Sequence, residues 1–307
     1  MPRVRKVGRR WKGAAAPLVL SAPFLVVFVL FMAVPLVIAV VISTEGSHRS
    51  GLGLGPPQTT FVGLSNYWKA LGDPEFLEGL KRVALFFAVI APLMLLVATA
   101  IAFLLDRPMN LRFRAVVRTV CFVPYAMPVV IGSILWGFLY QPQLSPFVRL
   151  SQSAGLGAFN PLSPSLVFWA ITNIVTWEWT GYNVIILTTG LQAISPELYE
   201  AARTDGASNW AIARRIKLPL LRPSLVMAGL FTLIGVLQMF GEPETLSNLA
   251  SSISSYYTPN MYVYTLAFTD NQISYASALA VLLAVIAGLL SIVALRLARR
   301  YAFAGHP

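Results

Sequence analysis

The chain has 307 residues, of which 57% are hydrophobic and only 11% charged, where a soluble domain carries about 25% charged residues. That balance leaves too little polar surface to cover a soluble globule and points to an integral membrane protein. A net charge of +11 raises nucleic acid as a partner, but the basic residues form no single patch and their spacing follows a membrane instead. Cys121 is alone, so there is no disulfide framework or cysteine metal site. His48 and His306, the two histidines, lie in a loop and near the C-terminus, which argues against imidazole catalysis.

In chain order, residues 1–16 are a basic tail carrying Arg3, Arg5, Lys6, Arg9, Arg10 and Lys12. It resembles the n-region of a signal peptide. The apolar run that follows is too long for a signal-peptide core of about 7–15 residues, so it reads as a retained first span. A helix needs about 20 mainly apolar residues to cross the hydrocarbon core. Six stretches qualify, at 17–43, 83–105, 119–140, 166–191, 223–241 and 275–295. The predicted architecture is therefore all-α, with a six-span domain over 17–295 and a C-terminal tail over 296–307.

Charge orients the spans. With the N-terminus inside, the inner side collects six basic residues in the tail, four in 106–118, five in 193–222 and three after 295, against five outside. The positive-inside rule places both termini and the loop 193–222 in the cytoplasm. The outer loop 44–82 opens with Gly51, Gly53, Gly55, Pro56 and Pro57. Two prolines stand where a dinucleotide-binding helix would open, and no G-x-x-x-x-G-K-[ST] occurs, so the chain has no phosphate-binding loop of its own.

Span four contains Glu178, the one acidic residue inside a span, within "NIVTWEWTGYNV". A charge at that depth costs about 2.5–3.5 kcal/mol on insertion scales, so this helix belongs inside a bundle. Two readings stand side by side. Glu178, Tyr182 and Asn183 line a solute path, or they form a hydrogen-bonded helix contact with Trp177 and Trp179 as packing. Gln238, and Glu242 and Glu244 beyond span five, are further polar candidates, with a solvated helix end as the plainer reading of Glu244.

The loop 193–222 is punctuated as two short helices. Ser195-Pro196-Glu197 is a helix start, with a capping hydroxyl, a proline at the first position and an acidic first turn. Asp205-Gly206 closes that helix near Thr204. Ser208 caps a second helix, with Ile212 and Ile216 on one face, and Leu218-Pro219 ends it.

Glu200, Ala201, Ala202, Gly206, Ile216, Leu218 and Pro219 meet the spacing E-A-A-x3-G-x9-I-x-L-P in full. This resembles the signature of the membrane (permease) subunits of binding-protein-dependent ABC importers. "FVGLSNYWKAL", "RTVCFVPYAMPVVIGSILWGFLY" and "YVYTLAFTDNQISYASALAVLL" are similar to segments of the carbohydrate-uptake permeases, and the likeness covers nearly the whole chain. The resemblance implies a coupling element: Glu200 pairs with a basic residue of a separate ATPase subunit and the alanines pack in its groove. Gly206→Pro or Glu200→Lys is then expected to leave insertion intact and uncouple transport.

The resemblance further implies a second permease chain, two ATPase subunits that bind the ATP and Mg, and an external solute-binding protein, with no catalysis or cofactor on this chain. The expected cargo is a sugar or sugar-like solute. A polyol, a glycerophosphodiester or an amine-bearing compound is the alternative. After span five the chain reads "ETLSNLASSISSYYTPNM" where many sugar permeases carry L-T-x-G-G-P, so no substrate identity carries over. A stand-alone secondary transporter is expected to show paired broken spans and several intramembrane charges. A membrane enzyme needs a nucleophile–base or metal constellation. Neither pattern is found.

Overall fold

A computed structural model describes residues 15–49, 57–155 and 159–302. Most of the basic tail, the stretch with Gly51, Gly53, Gly55 and Pro56, and the last five residues with His306 lie outside the described residues. The chain divides into two units, residues 1–70 with 266–282 and residues 71–265 with 283–307.

In the first unit, helix α1 (Ala15–Phe28) and helix α2 (Val34–Ser43) join through a π turn at Val29–Ala33. The stretch Leu20–Ser43 is apolar, and its most apolar 18 residues include none that is buried, as expected of a helix surrounded by lipid. Strands β1 (Glu45–Arg49) and β2 (Pro57–Phe61) then pair antiparallel, from Glu45 opposite Phe61 to Arg49 opposite Pro57. This ribbon corrects the all-α expectation. Helix α3 (Ser65–Leu71) follows, and its Asn66 amide donates to the carbonyls of Ser43 at 2.9 Å and Glu45 at 2.8 Å. That side chain fixes where the first helix stops and the ribbon begins.

The second unit opens with α4 (Pro74–Leu105), 32 residues long. It begins nine residues earlier than the predicted span because Asp73 caps it, accepting from the N–H groups of Glu75 and Phe76. Next come α5 (Leu111–Ala126) and α6 (Val129–Tyr140), which meet at 97°. The predicted span 119–140 is thus not one straight helix. Pro128 has no N–H to continue α5, and Met127 before it takes the extended conformation (ψ 146°) that a following proline favours.

Helix α7 (Pro146–Ser153) leads to α8 (Val167–Gln192). At 26 residues and a rise of 1.5 Å each, α8 is about 39 Å long. It is long enough to span but too polar to be counted as an apolar span. The charged loop holds α9 (Pro196–Thr204), α10 (Asn209–Ile212) and α11 (Leu218–Leu220), and α12 (Arg222–Leu237) follows. The chain ends with α13 (Gly241–Ser247), α14 (Pro259–Tyr264) and α15 (Ile273–Ala302). Among the described residues four helical stretches are long and apolar enough to cross a membrane, and the bent pair α5 and α6 makes a fifth if it is one span.

Two buried clusters hold the second unit. One gathers Phe86, Ile90 and Met94 of α4, Ile171 and Ile174 of α8, and Leu246, Tyr257 and Met261. The other joins Ala98, Ala102 and Leu105 of α4, Val184, Leu187 and Leu191 of α8, and Leu221. Close backbone approach matters where α5 crosses α8. A Cβ at Gly181 would run into the backbone carbonyl of Cys121, so glycine is required there.

Candidate functional site

Two places carry the chemistry singled out in the sequence: the charged loop and the centre of α8. In the loop, α9 is rooted by Tyr199, which packs against the Leu105–Leu191–Leu221 cluster. Burial, followed by the nearby Asp106 charge, pushes the Tyr199 phenol up to about 12, so it is neutral at any physiological pH. Ser195 occupies the N-cap position but makes no capping bond. Its hydroxyl donates to Glu197 at 3.4 Å instead. The capping role expected of Ser195 is therefore corrected.

The other end of α9 closes as expected. Gly206 has φ +78°, its N–H donates to the Arg203 carbonyl at 3.0 Å, and the Ala207 N–H donates to Ala202 at 2.9 Å. This is the paired-bond C-cap in which the left-handed residue is nearly always glycine. Nothing lies within 4 Å of where a Gly206 Cβ would sit, so backbone conformation alone selects glycine. Glu200 and Ala201 are exposed and Ala202 is half-buried, leaving a small-residue face open on α9.

Ser208 caps α10 as expected, accepting from Ala211 N–H at 3.2 Å. Ile212 is buried and Ile216 half-buried. Pro219 does not end this element, contrary to expectation. A π turn over Ala213–Lys217 loosens the helix, the Leu218 N–H reaching back five residues to Ala213. That added slack accommodates a proline that has no N–H and crowds the preceding turn. Leu218 accordingly stays helical, Leu221 N–H donates to Lys217, and Leu225 N–H to Leu221. The second loop helix therefore continues past Pro219 to Leu220, and a turn at Leu221 leads into α12.

At the centre of α8 the candidates separate. Asn183 is sealed, its amide donating to the Met94 sulfur at 2.8 Å and to the Trp179 carbonyl at 3.2 Å. Thr232 of α12 donates to the same sulfur at 3.7 Å, so this is a junction of α4, α8 and α12. Tyr182 is half-buried and stacks on Tyr125 at 4.8 Å and 21°, with Trp179 and Phe231 edge-on to it. Trp177 packs edge-on to Trp136 of α6.

Glu178 is only 5% exposed. Its carboxyl lies directly against Gly132 of α6, and among the described residues no hydrogen bond reaches it. Glu242, in the first turn of α13, is also buried, whereas Gln238 is exposed at the end of α12. The structure thus brings Glu178, Tyr182 and Glu242 into one unit with Tyr125 and Phe231, two residues that sequence reasoning missed. Both missed rings come from helices other than α8, and no local pattern links them to it.

The comparisons with known proteins agree with this architecture. Residues 95–303 match the family model described as "Binding-protein-dependent transport system inner membrane component". The lactose transport system permease protein LacF of Rhizobium radiobacter is 30% identical over 277 residues, covering 88% of this chain and 89% of LacF. The trehalose/maltose transport system permease protein MalF of Thermococcus litoralis is 31% identical over 232 residues, covering 75% and 76%. In fold, the chain resembles a chain of a bacterial alginate ABC transporter, solved in complex with an alginate pentasaccharide-bound periplasmic protein. The TM-score is 0.78 at 18% identity, with 93% and 94% covered. With the family model matching residues 95–303 and most of LacF covered, the chain belongs to the inner-membrane permease components of binding-protein-dependent ABC transport systems.

Proposed function

We propose that this permease subunit forms, with a second permease chain, the path for a sugar or sugar-like solute. Two cytoplasmic ATPase subunits, which hold ATP and Mg, drive it, and an extracytoplasmic solute-binding protein loads it. In this reading α8 and the bent α5–α6 pair complete six spans over 17–295, with the tails 1–16 and 296–307 in the cytoplasm. The loop 193–222 docks on the ATPase through Glu200, Ala201, Ala202 and Gly206, while Ile216, Leu218 and Pro219 hold its second helix in line with α12.

One observation carries the substrate class. Tyr182 of α8, with Tyr125 and Phe231 beside it, presents half-open aromatic rings, a surface that stacks against the C–H faces of a sugar. Permeases named for lactose and for trehalose/maltose, at about this similarity, support the same class. Glu178, Glu242 and Gln238 are the polar partners assigned to the path. Asn183 sits less comfortably there, since its amide is engaged by Met94.

The two buried carboxyls favour an amine-bearing solute as the second reading, because a cation offsets the cost of a carboxylate at depth. The test is ATP hydrolysis by the assembled importer in proteoliposomes with its solute-binding protein. Neutral oligosaccharides are expected to stimulate it. Stimulation by amines but by no neutral carbohydrate would overturn the sugar assignment.

A further inference from the structure

Asp106 immediately follows the last residue of α4, and Lys217 ends the π turn of the charged loop. These residues, 111 positions apart, form an ion pair at 2.5 Å with side chains only 19% and 14% exposed. The Lys217 ammonium also lies 5.2 Å from the Tyr199 ring centre and 5.8 Å from that of Phe103. It therefore touches both loop helices and the end of α4 at once.

Local preference argues against this arrangement. An acidic residue at a helix C-terminus meets the negative end of the dipole, and Asp106 occupies that position on a 32-residue helix. A mostly buried ion pair adds little stability over an apolar pair, yet it fixes orientation and is costly to break from one side. Lys217 lies in the segment that runs on into α12, and α4 shares the Met94 junction with α8 and α12. A displacement of the loop is thus delivered to α12, which carries Phe231, and to α4, which meets α8 and α12 at Met94.

We propose that Asp106 and Lys217 are positioning residues that latch the coupling loop to α4, so that ATPase-driven movement of the loop is transmitted to the solute path. This rests on the coupling role proposed above for the loop. Charge complementarity is the property that matters, which makes the pair separable from simple packing.

The test uses the assembled importer and reads uptake per ATP hydrolysed. Asp106→Lys and Lys217→Asp are each expected to lower that ratio about tenfold, and the double exchange to recover most of it, as coupled neighbours do in a mutant cycle. Reversed charges can block assembly, so Asp106→Asn, Lys217→Gln and their combination are read as well. Here the combination is expected to be no worse than either single change. Singles equal to wild type, or losses that simply add, overturn the latch. Glu200→Lys serves as the control for the underlying reading. If it transports normally, the docking role of the loop fails. If it uncouples while the Asp106 variants do not, only the latch fails.

Discussion

Gly206 offers the sharpest test of how the charged loop is built. Its φ of +78° lies in the left-handed region, and open space surrounds the position a Cβ would take. Alanine there meets no steric neighbour and costs only the left-handed backbone penalty, about 1–2 kcal/mol. That cost corresponds to a roughly 5- to 30-fold shift in the population of the closed cap. Proline is different in kind: its φ is held near −65°, and it has no N–H for the 3.0 Å bond to Arg203.

Hydrogen exchange over residues 195–212, measured in the assembled importer alongside uptake and ATP hydrolysis, separates the two. Gly206→Ala is expected to speed exchange of the Gly206 and Ala207 amides by that factor and to leave uptake partly intact. Gly206→Pro is expected to abolish protection and uptake while ATP hydrolysis continues. Equal damage from both would place the constraint in space rather than backbone conformation. Full uptake with Gly206→Pro would refute the capping argument outright.

Two further predictions address the roles of single side chains. Asn183→Leu removes an amide that donates to the Met94 sulfur and the Trp179 carbonyl and whose oxygen is buried without a partner. Replacing such a group by an apolar one is nearly neutral, so thermal unfolding and uptake should both stay near wild type. Loss of uptake with unchanged unfolding would return Asn183 to the solute path. Tyr199 supplies a pH dependence. Its phenol is raised from an ordinary value near 10 to about 12, so below pH 10 it contributes no pH dependence. Between pH 10 and 12 the unfolded chain loses this proton and the folded one keeps it, so loop stability falls as pH rises through that window. Tyr199→Phe should remove that part of the alkaline loss, and an unchanged profile would assign the loss to other groups.

The sequence alone determined most of what depends on neighbours along the chain, the Ser195 cap excepted. The apolar runs announced membrane helices, and the Asp205-Gly206 turn and the Ser208 cap announced two short helices. These are local properties: a glycine's backbone freedom and a hydroxyl's reach to the next turn are settled within four residues. Hydropathy placed the start of α4 nine residues late, because the Asp73 cap lies ahead of the apolar run.

Tertiary structure decided what depends on groups distant in sequence. Pro219 looked like a stop because local sterics disfavour helix before proline, yet a π turn absorbed it and carried the loop into α12. Glu178, Tyr182 and Asn183 looked alike on one polar helix. Packing sealed Asn183 at Met94, pressed Glu178 against Gly132 and left Tyr182 half-open beside Tyr125. Asp106 and Lys217 carried no mutual signal across 111 residues. An ion pair of that span exists only because α4 and the loop are brought together by the core of Leu105, Leu191 and Leu221.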